Sequence, residues 1–176
     1  MTMNLFHPLL SFRIIAALIL GAAVFQGAAL HAQTPAAVGQ PAPAWKLKDL
    51  AGNEVSSDQF KGKVLVVDFW ATWCQPCIGE IPGYIELQKK YGPQGLVIVG
   101  IAYRDFKGPA NVKKFAEEKG MNYTIVIGDE NVADAFGGIE GIPTTFLIGR
   151  DGRVIHHKVG AMPHEEYEKL VQQALN

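Results

Sequence analysis

The sequence predicts an α/β fold with a central mixed β-sheet flanked by helices, and three observations predict it. Apolar runs of strand length at residues 64–70 and 96–103 bracket a stretch with helical length and pattern. Further strands and helices alternate from there to residue 136. The chain then closes with two strands joined by Gly149-Arg150-Asp151-Gly152, followed by a last helix. Strands separated by helices pair in parallel, whereas a tight turn joins antiparallel neighbours, so one sheet holds both kinds.

The elements follow in order. Residues 45–50, a turn at Ala51-Gly52-Asn53-Glu54 and Val55 read as an irregular N-terminal hairpin. Residues 64–70 are apolar throughout except Asp68, and a run without alternation belongs to a strand buried on both faces. A helix is expected from Cys74 to about residue 91, bent at Pro82, which cannot donate to the carbonyl four residues back. Residues 96–103 form the second buried strand. Residues 110–119 read as an amphipathic helix with Val112, Phe115 and Ala116 inward. A short strand at 124–127 and a short helix at 131–136 come next. Residues 144–148 and 154–159 form an antiparallel hairpin. Residues 163–175 form the closing helix, with Pro163 near its first turn and Tyr167, Leu170, Val171 and Leu175 on one side.

The N-terminus has a different character. Arg13 precedes the apolar run Ile14-Ile15-Ala16-Ala17-Leu18-Ile19-Leu20, and small residues lead out through Gln26-Gly27-Ala28-Ala29-Leu30-His31-Ala32. This is the pattern of a secretory signal, with cleavage expected after Ala32 or Ala29. The rival is an uncleaved membrane anchor, but the apolar core is shorter than the roughly 20 residues that span a bilayer. The expected organisation is therefore a signal peptide or anchor at 1–32, a linker at 33–43 and one domain at 44–176. The 176-residue chain has a formal net charge of −1 and no block of like charge, so no nucleic-acid footprint is present. The signal predicts export from the cytoplasm.

The chain has two cysteines, Cys74 and Cys77, two residues apart. A structural disulfide generally closes a long loop, where the entropic gain lies, and a bridge between these two closes almost nothing. The pair is expected to be chemical. Cys74 falls where a strand gives way to a helix, and free N–H groups and the helix dipole there favour a thiolate. The two sulfurs, as a redox-active disulfide, are the expected redox centre, with no separate cofactor and no metal. His156 and His157 adjoin on a strand and should point to opposite faces, which argues against a joint metal site.

Val66-Val67-Asp68-Phe69-Trp70-Ala71-Thr72-Trp73-Cys74-Gln75-Pro76-Cys77 resembles the active-site stretch of thioredoxin-fold proteins, and Gly141-Ile142-Pro143-Thr144-Thr145-Phe146 resembles their cis-proline loop. About 40 residues separate Ile101 from Gly141, more than plain thioredoxin needs, and read as an inserted helix and strand. The insertion, the export signal and Cys74-x-x-Cys77-x-x-Glu80 look like the TlpA/ResA group of bacterial envelope thiol–disulfide oxidoreductases, which includes the CcmG branch of cytochrome c maturation. Two positions depart from these relatives: Asp68 stands where many ResA-like proteins carry Asn, and Thr144 where the CcmG branch typically has Glu.

The resemblance implies roles. Cys74 attacks a partner's disulfide and Cys77 resolves the mixed disulfide. Pro143 is a cis-proline facing the disulfide. Asp68 is a buried acid that takes the Cys77 proton, though a structural ion pair would explain it too. Glu80 raises the thiol pKa values and relays protons, against the plainer alternative of a solvated helix acid. Gln75 and Pro76 help set the potential. Substrate contact is expected from Trp73, Gln75 and Pro76 beside the sulfurs and from Ile142 and Thr144 around Pro143, while Trp70 and Trp73 cover the site.

The leading function is reduction of cysteine pairs in exported proteins, such as apocytochrome c or a copper-site maturation protein. No nicotinamide-binding fingerprint is present, so a membrane thiol–disulfide electron donor is the expected partner. Two other classes compete. A Cu(I) metallochaperone would use the same two thiolates, which suit that ion. A peroxidase would need a Pro-x-x-x-Thr/Ser-x-x-Cys pattern, which residues 69–74 do not supply.

Overall fold

The computed structural model describes residues 36–176. The export segment expected at 1–32 lies outside the described residues. The elements are β1 (Lys46–Asp49), β2 (Glu54–Ser56), β3 (Val64–Trp70), α1 (Gln75–Tyr91), β4 (Leu96–Ala102), α2 (Pro109–Glu118), β5 (Thr124–Ile127), α3 (Glu130–Ala135), β6 (Thr144–Ile148), β7 (Val154–Val159) and α4 (His164–Leu175). They build one mixed sheet in the order β2-β1-β5-β4-β3-β6-β7. β3, β4 and β5 run parallel to one another, while β1 pairs antiparallel with β2 and β5, and β6 antiparallel with β3 and β7.

The sheet explains the apolar runs. All seven residues of β3 are buried, as are all five of β6. Period-two alternation splits them between two cores. Leu65, Val67 and Phe69 join Ile101, Phe136 and Phe146 on the face carrying α3. Val64 and Val66 face Tyr84 and Leu87 of α1 and Tyr167 and Val171 of α4. Trp70 extends that second face toward α2, where it meets Ile81, Val112, Ala116 and both cysteines. Asp68 has the parity of Val66 and Trp70, so its carboxyl is directed beneath α1.

Gly100 in β4 stands beside Asp68 in the parallel register. A Cβ there would come within 2.8 Å of Trp70 Nε1 and 2.9 Å of Ile125 Cδ1. The missing side chain is what makes room for the buried indole.

Boundaries move from the sequence expectation where a cap decides them. α1 begins after Cys74, not at it, because the Cys74 sulfur serves as the N-cap. Pro163 stands at the N-cap position of α4 with non-helical backbone and no side-chain cap, so the helix starts at His164. α3 starts at Glu130 because the Asp129 carboxylate accepts from the Val132 N–H at 2.9 Å. Pro82 lies inside α1, where it leaves the Ile78 carbonyl without its usual donor.

Residues 36–43 do not hang free as a linker. Gly39 N–H donates to Val154 O and Ala42 N–H to Gly152 O, Pro41 bridges to Arg153, and Ala36 is buried in the core. Backbone pairing with the β6–β7 turn satisfies a segment whose Pro and Gly content gives no strand signal. Among the described residues no helix is long and apolar enough to cross a membrane.

Candidate active site

Cys74 and Cys77 are joined by a disulfide, with S–S 2.03 Å and Cα–Cα 5.3 Å. Cys74 has extended backbone at the end of the β3–α1 loop, and the Cys77 N–H donates to its sulfur at 3.3 Å. Three features therefore converge on one sulfur: a helix N-terminus, a directed N–H, and a strand end that places it at the carboxyl edge of the parallel strands. The first two lower the cost of negative charge on Cys74. Cys77 faces inward against Trp70 and Ile81. Gln75 and Pro76, between the sulfurs in sequence, are exposed.

The Ile142–Pro143 bond is cis. The loop around it is held by the Gly160 N–H donating to Pro143 O at 2.8 Å and the Thr144 hydroxyl donating to Gly141 O at 2.7 Å. Ile142 packs against the cluster that contains both cysteines, which brings this loop to the disulfide. Thr144 itself is buried. Its hydroxyl is spent on the loop, so what it can offer a neighbouring chain is backbone.

Below the disulfide the sheet and α1 enclose two acids. Asp68 is 4% exposed, and the Thr145 hydroxyl donates to its Oδ1 at 3.1 Å. Asp68 and Thr145 are direct cross-strand partners on β3 and β6. Tyr84 OH lies 3.3 Å from the same Thr145 oxygen; since Thr145 donates to Asp68, Tyr84 donates to Thr145. Burial, with the nearby Glu80 carboxylate adding to it, pushes the Asp68 carboxyl up to about 8 against the opposing hydrogen bond from Thr145. Among the described residues no cation enters that balance, so within them Asp68 is not one half of a structural ion pair. Near neutral pH it holds its proton.

Glu80 follows Cys77 by one helical turn. Its Oε1 accepts the Met162 N–H at 2.9 Å, while Oε2 is buried without a partner. Burial raises its pKa, opposed by the Met162 hydrogen bond. Glu80 is thus a half-enclosed acid rather than a solvated one. The Tyr84 and Tyr167 phenols are raised well above their ordinary range, by burial first and then by Asp68 among the neighbouring charges.

The two tryptophans divide. Trp70 is buried under the cysteines and packs on Phe115. Trp73 is 47% exposed, and its Nε1 donates to Arg104 O at 3.1 Å. The Thr72 N–H donates to Asp105 Oδ2 at 2.8 Å, and Asn111 Nδ2 to Thr72 Oγ1 at 3.1 Å. These bonds tie the loop after β4 to the cysteine loop. His156 and His157 diverge: His157 stacks on Phe146 at 4.3 Å between ring centres, and burial, then His156, lowers its pKa.

The structure thus gathers Asp68, Trp73, Cys74, Gln75, Pro76, Cys77, Glu80, Ile142, Pro143 and Thr144 at one edge of the sheet. Sequence reasoning missed Tyr84, Thr145 and the loop at 104–106. Tyr84 is four residues after Glu80 on one helix face, a signal that was available. Thr145 depends on the β3–β6 register, which no local pattern contains. The 104–106 loop follows from parallel β3 and β4 ending side by side.

The chain matches the AhpC/TSA family over residues 38–157. It is 38% identical over 141 residues to the thiol-disulfide oxidoreductase ResA of Geobacillus thermodenitrificans, covering 80% of this chain and 79% of that one. Among solved structures, it superposes on a thiol:disulfide interchange protein of the thioredoxin family from Chlorobium tepidum TLS with TM-score 0.73 and 34% identity, covering 81% of this chain and 100% of the other. A putative thiol:disulfide interchange protein DsbE from Chlorobium tepidum gives TM-score 0.73 at 29% identity, covering 80% and 99%. With a disulfide of the right spacing at a helix N-terminus and relatives named for that chemistry, the chain belongs to the AhpC/TSA family as a ResA-like, thioredoxin-fold thiol–disulfide oxidoreductase.

Proposed function

We propose that the protein works as a reductase of disulfides in exported proteins of the bacterial envelope, through the Cys74–Cys77 couple. The observation that carries this reading is the asymmetry of the two sulfurs. Cys74 caps the helix and accepts an N–H, whereas Cys77 is buried and packs inward against Trp70 and Ile81. In the reduced protein the Cys74 thiolate attacks one sulfur of a substrate disulfide; that S–S bond breaks and the departing thiolate takes a proton from solvent. Cys77 then gives up its proton and attacks Cys74, re-forming the internal disulfide and releasing the second substrate thiol. Two electrons pass to the substrate.

Asp68 is the proposed acceptor of the Cys77 proton in the fraction of molecules whose Asp68 carboxyl is ionised, a form that a pKa of about 8 keeps accessible near neutral pH. Glu80 is the proposed relay. The cis-proline loop offers backbone to an extended substrate, with Trp73, Gln75 and Pro76 on its other side. Regeneration falls to a membrane thiol–disulfide donor. Candidate substrates are oxidised apocytochrome c and copper-site maturation proteins.

Two variants test this. Cys74→Ala should reduce no disulfide substrate, and Cys77→Ala should accumulate a mixed disulfide detectable on non-reducing gels and by mass. Retained turnover by Cys74→Ala contradicts the mechanism.

A further inference from the structure

Phe106 is 83% exposed, the most of any large apolar side chain among the described residues, and it sits beside the cysteine loop. Its ring stacks on Trp73, with centroids 5.9 Å apart and planes 17° from parallel. We propose that Trp73 and Phe106 form a shelf for an apolar side chain flanking the reactive cysteine of an extended, oxidised substrate chain, and that Phe106 is a specificity-determining residue. The inference rests on the thiol–disulfide reading of Cys74 and names which substrates that site prefers.

The shelf is built, not incidental. Arg104 holds φ at 51°, a conformation uncommon outside glycine. It is kept there by a two-pronged pair, Nε to Glu130 Oε1 and Nη2 to Glu130 Oε2, both 3.0 Å, while Tyr103 OH donates to the same carboxylate at 2.7 Å. In that conformation the Arg104 carbonyl accepts the Trp73 indole N–H. The next residue, Asp105, takes the Thr72 N–H. Phe106 follows directly, so the fastening ends at its backbone. Glu130 opens α3, and the start of that helix therefore helps fix the shape of the loop that carries Phe106.

The occupant follows from continuity with Cys74. Any chain in a mixed disulfide with Cys74 must pass beside Trp73, its neighbour in sequence. Side chains one and two residues from the substrate cysteine lie about 3–7 Å along an extended strand, so they are the substrate side chains held nearest Trp73. Asp105, the one acid in this loop, is already occupied by the Thr72 and Lys107 N–H groups. The surface presented is aromatic, and a preorganised aromatic face favours an apolar or aromatic partner at low entropic cost.

The test uses reduced protein and two oxidised peptides identical except for Phe or Ser next to the cysteine, with 2-hydroxyethyl disulfide as a substrate lacking a flanking residue. The parent protein should reduce the Phe peptide about 3- to 10-fold faster in kcat/KM than the Ser peptide. In Phe106→Ala that preference should collapse toward one, with the 2-hydroxyethyl disulfide rate and the reduction potential unchanged; Phe106→Tyr should keep it. An undiminished preference in Phe106→Ala, or none in the parent, overturns the shelf. A parent protein that reduces none of the three substrates overturns the exchange reading and the shelf with it.

Discussion

The two sides of the Cys74–Cys77 disulfide are built on opposite terms. Toward solvent lie Trp73, Gln75, Pro76 and Phe106, exposed and fastened through loop hydrogen bonds. Toward the sheet lie Asp68, Glu80, Thr145, Tyr84 and Tyr167, wholly or largely enclosed by β3, β6, α1 and α4. Groups on the outer side keep their water, so changes there alter which partner is accepted and cost the fold little. On the inner side, burial raises the pKa values of Asp68 and Glu80, so ionising these acids in the fold costs stability. Recognition has been placed where it is cheap to vary, and proton handling where the low dielectric couples it to the fold.

The strongest way to expose that difference is Asp68→Asn. The Asp68 pKa is raised in the fold from 3.8 to about 8, so the folded state holds a proton the unfolded chain has released. This contribution to stability is therefore complete below about pH 4 and is lost as pH rises toward about 8, with a slope of up to about 1.4 kcal/mol per pH unit. Asp68→Asn should flatten the denaturant-derived stability profile over that window and raise stability at pH 9. A profile unchanged by the substitution would mean that Asp68 is ionised in the folded protein.

Gly100→Ala should come next, costing about 2–3 kcal/mol in chemical denaturation. The new methyl would crowd Trp70 and Ile125 within a sheet that cannot yield. An unchanged midpoint would show that the indole has room to move.

On the outer side the expected effect is smaller in stability and selective in function. Glu130→Gln weakens the two-pronged hold on exposed Arg104 and should leave the unfolding midpoint nearly where it was. It should nevertheless reduce the Phe-over-Ser peptide preference, because the loop is no longer held. If the preference survives Glu130→Gln while Phe106→Ala abolishes it, the shelf works without its clamp.

The contrast also explains what could be read from the chain. β3 and β4 were legible because burial on both faces leaves long apolar runs, and β6 and β7 because the turn Gly149-Arg150-Asp151-Gly152 joins them as a hairpin. The cysteine pair was legible because its spacing defeats a structural explanation. Asp68 stood out as a carboxyl in such a run. Thr145 and Tyr84 did not, because a hydroxyl among apolar residues becomes informative only when register sets Thr145 opposite Asp68. The packing of residues 36–43 along the β6–β7 turn was hidden for a related reason: the pairing is backbone to backbone and leaves no mark on side-chain pattern. Phe106 looked like an ordinary loop residue until parallel β3 and β4 placed its loop beside Trp73.

The proposal that electrons flow outward from this couple is tested most directly by its reduction potential, measured by equilibrating the domain with a redox buffer of known potential. A value near about −270 mV or below, in the range of thioredoxin, is the predicted result for a reductase recharged by a donor. A value near about −120 mV, in the range of DsbA, would contradict it and make the protein an oxidant acting through the same two sulfurs.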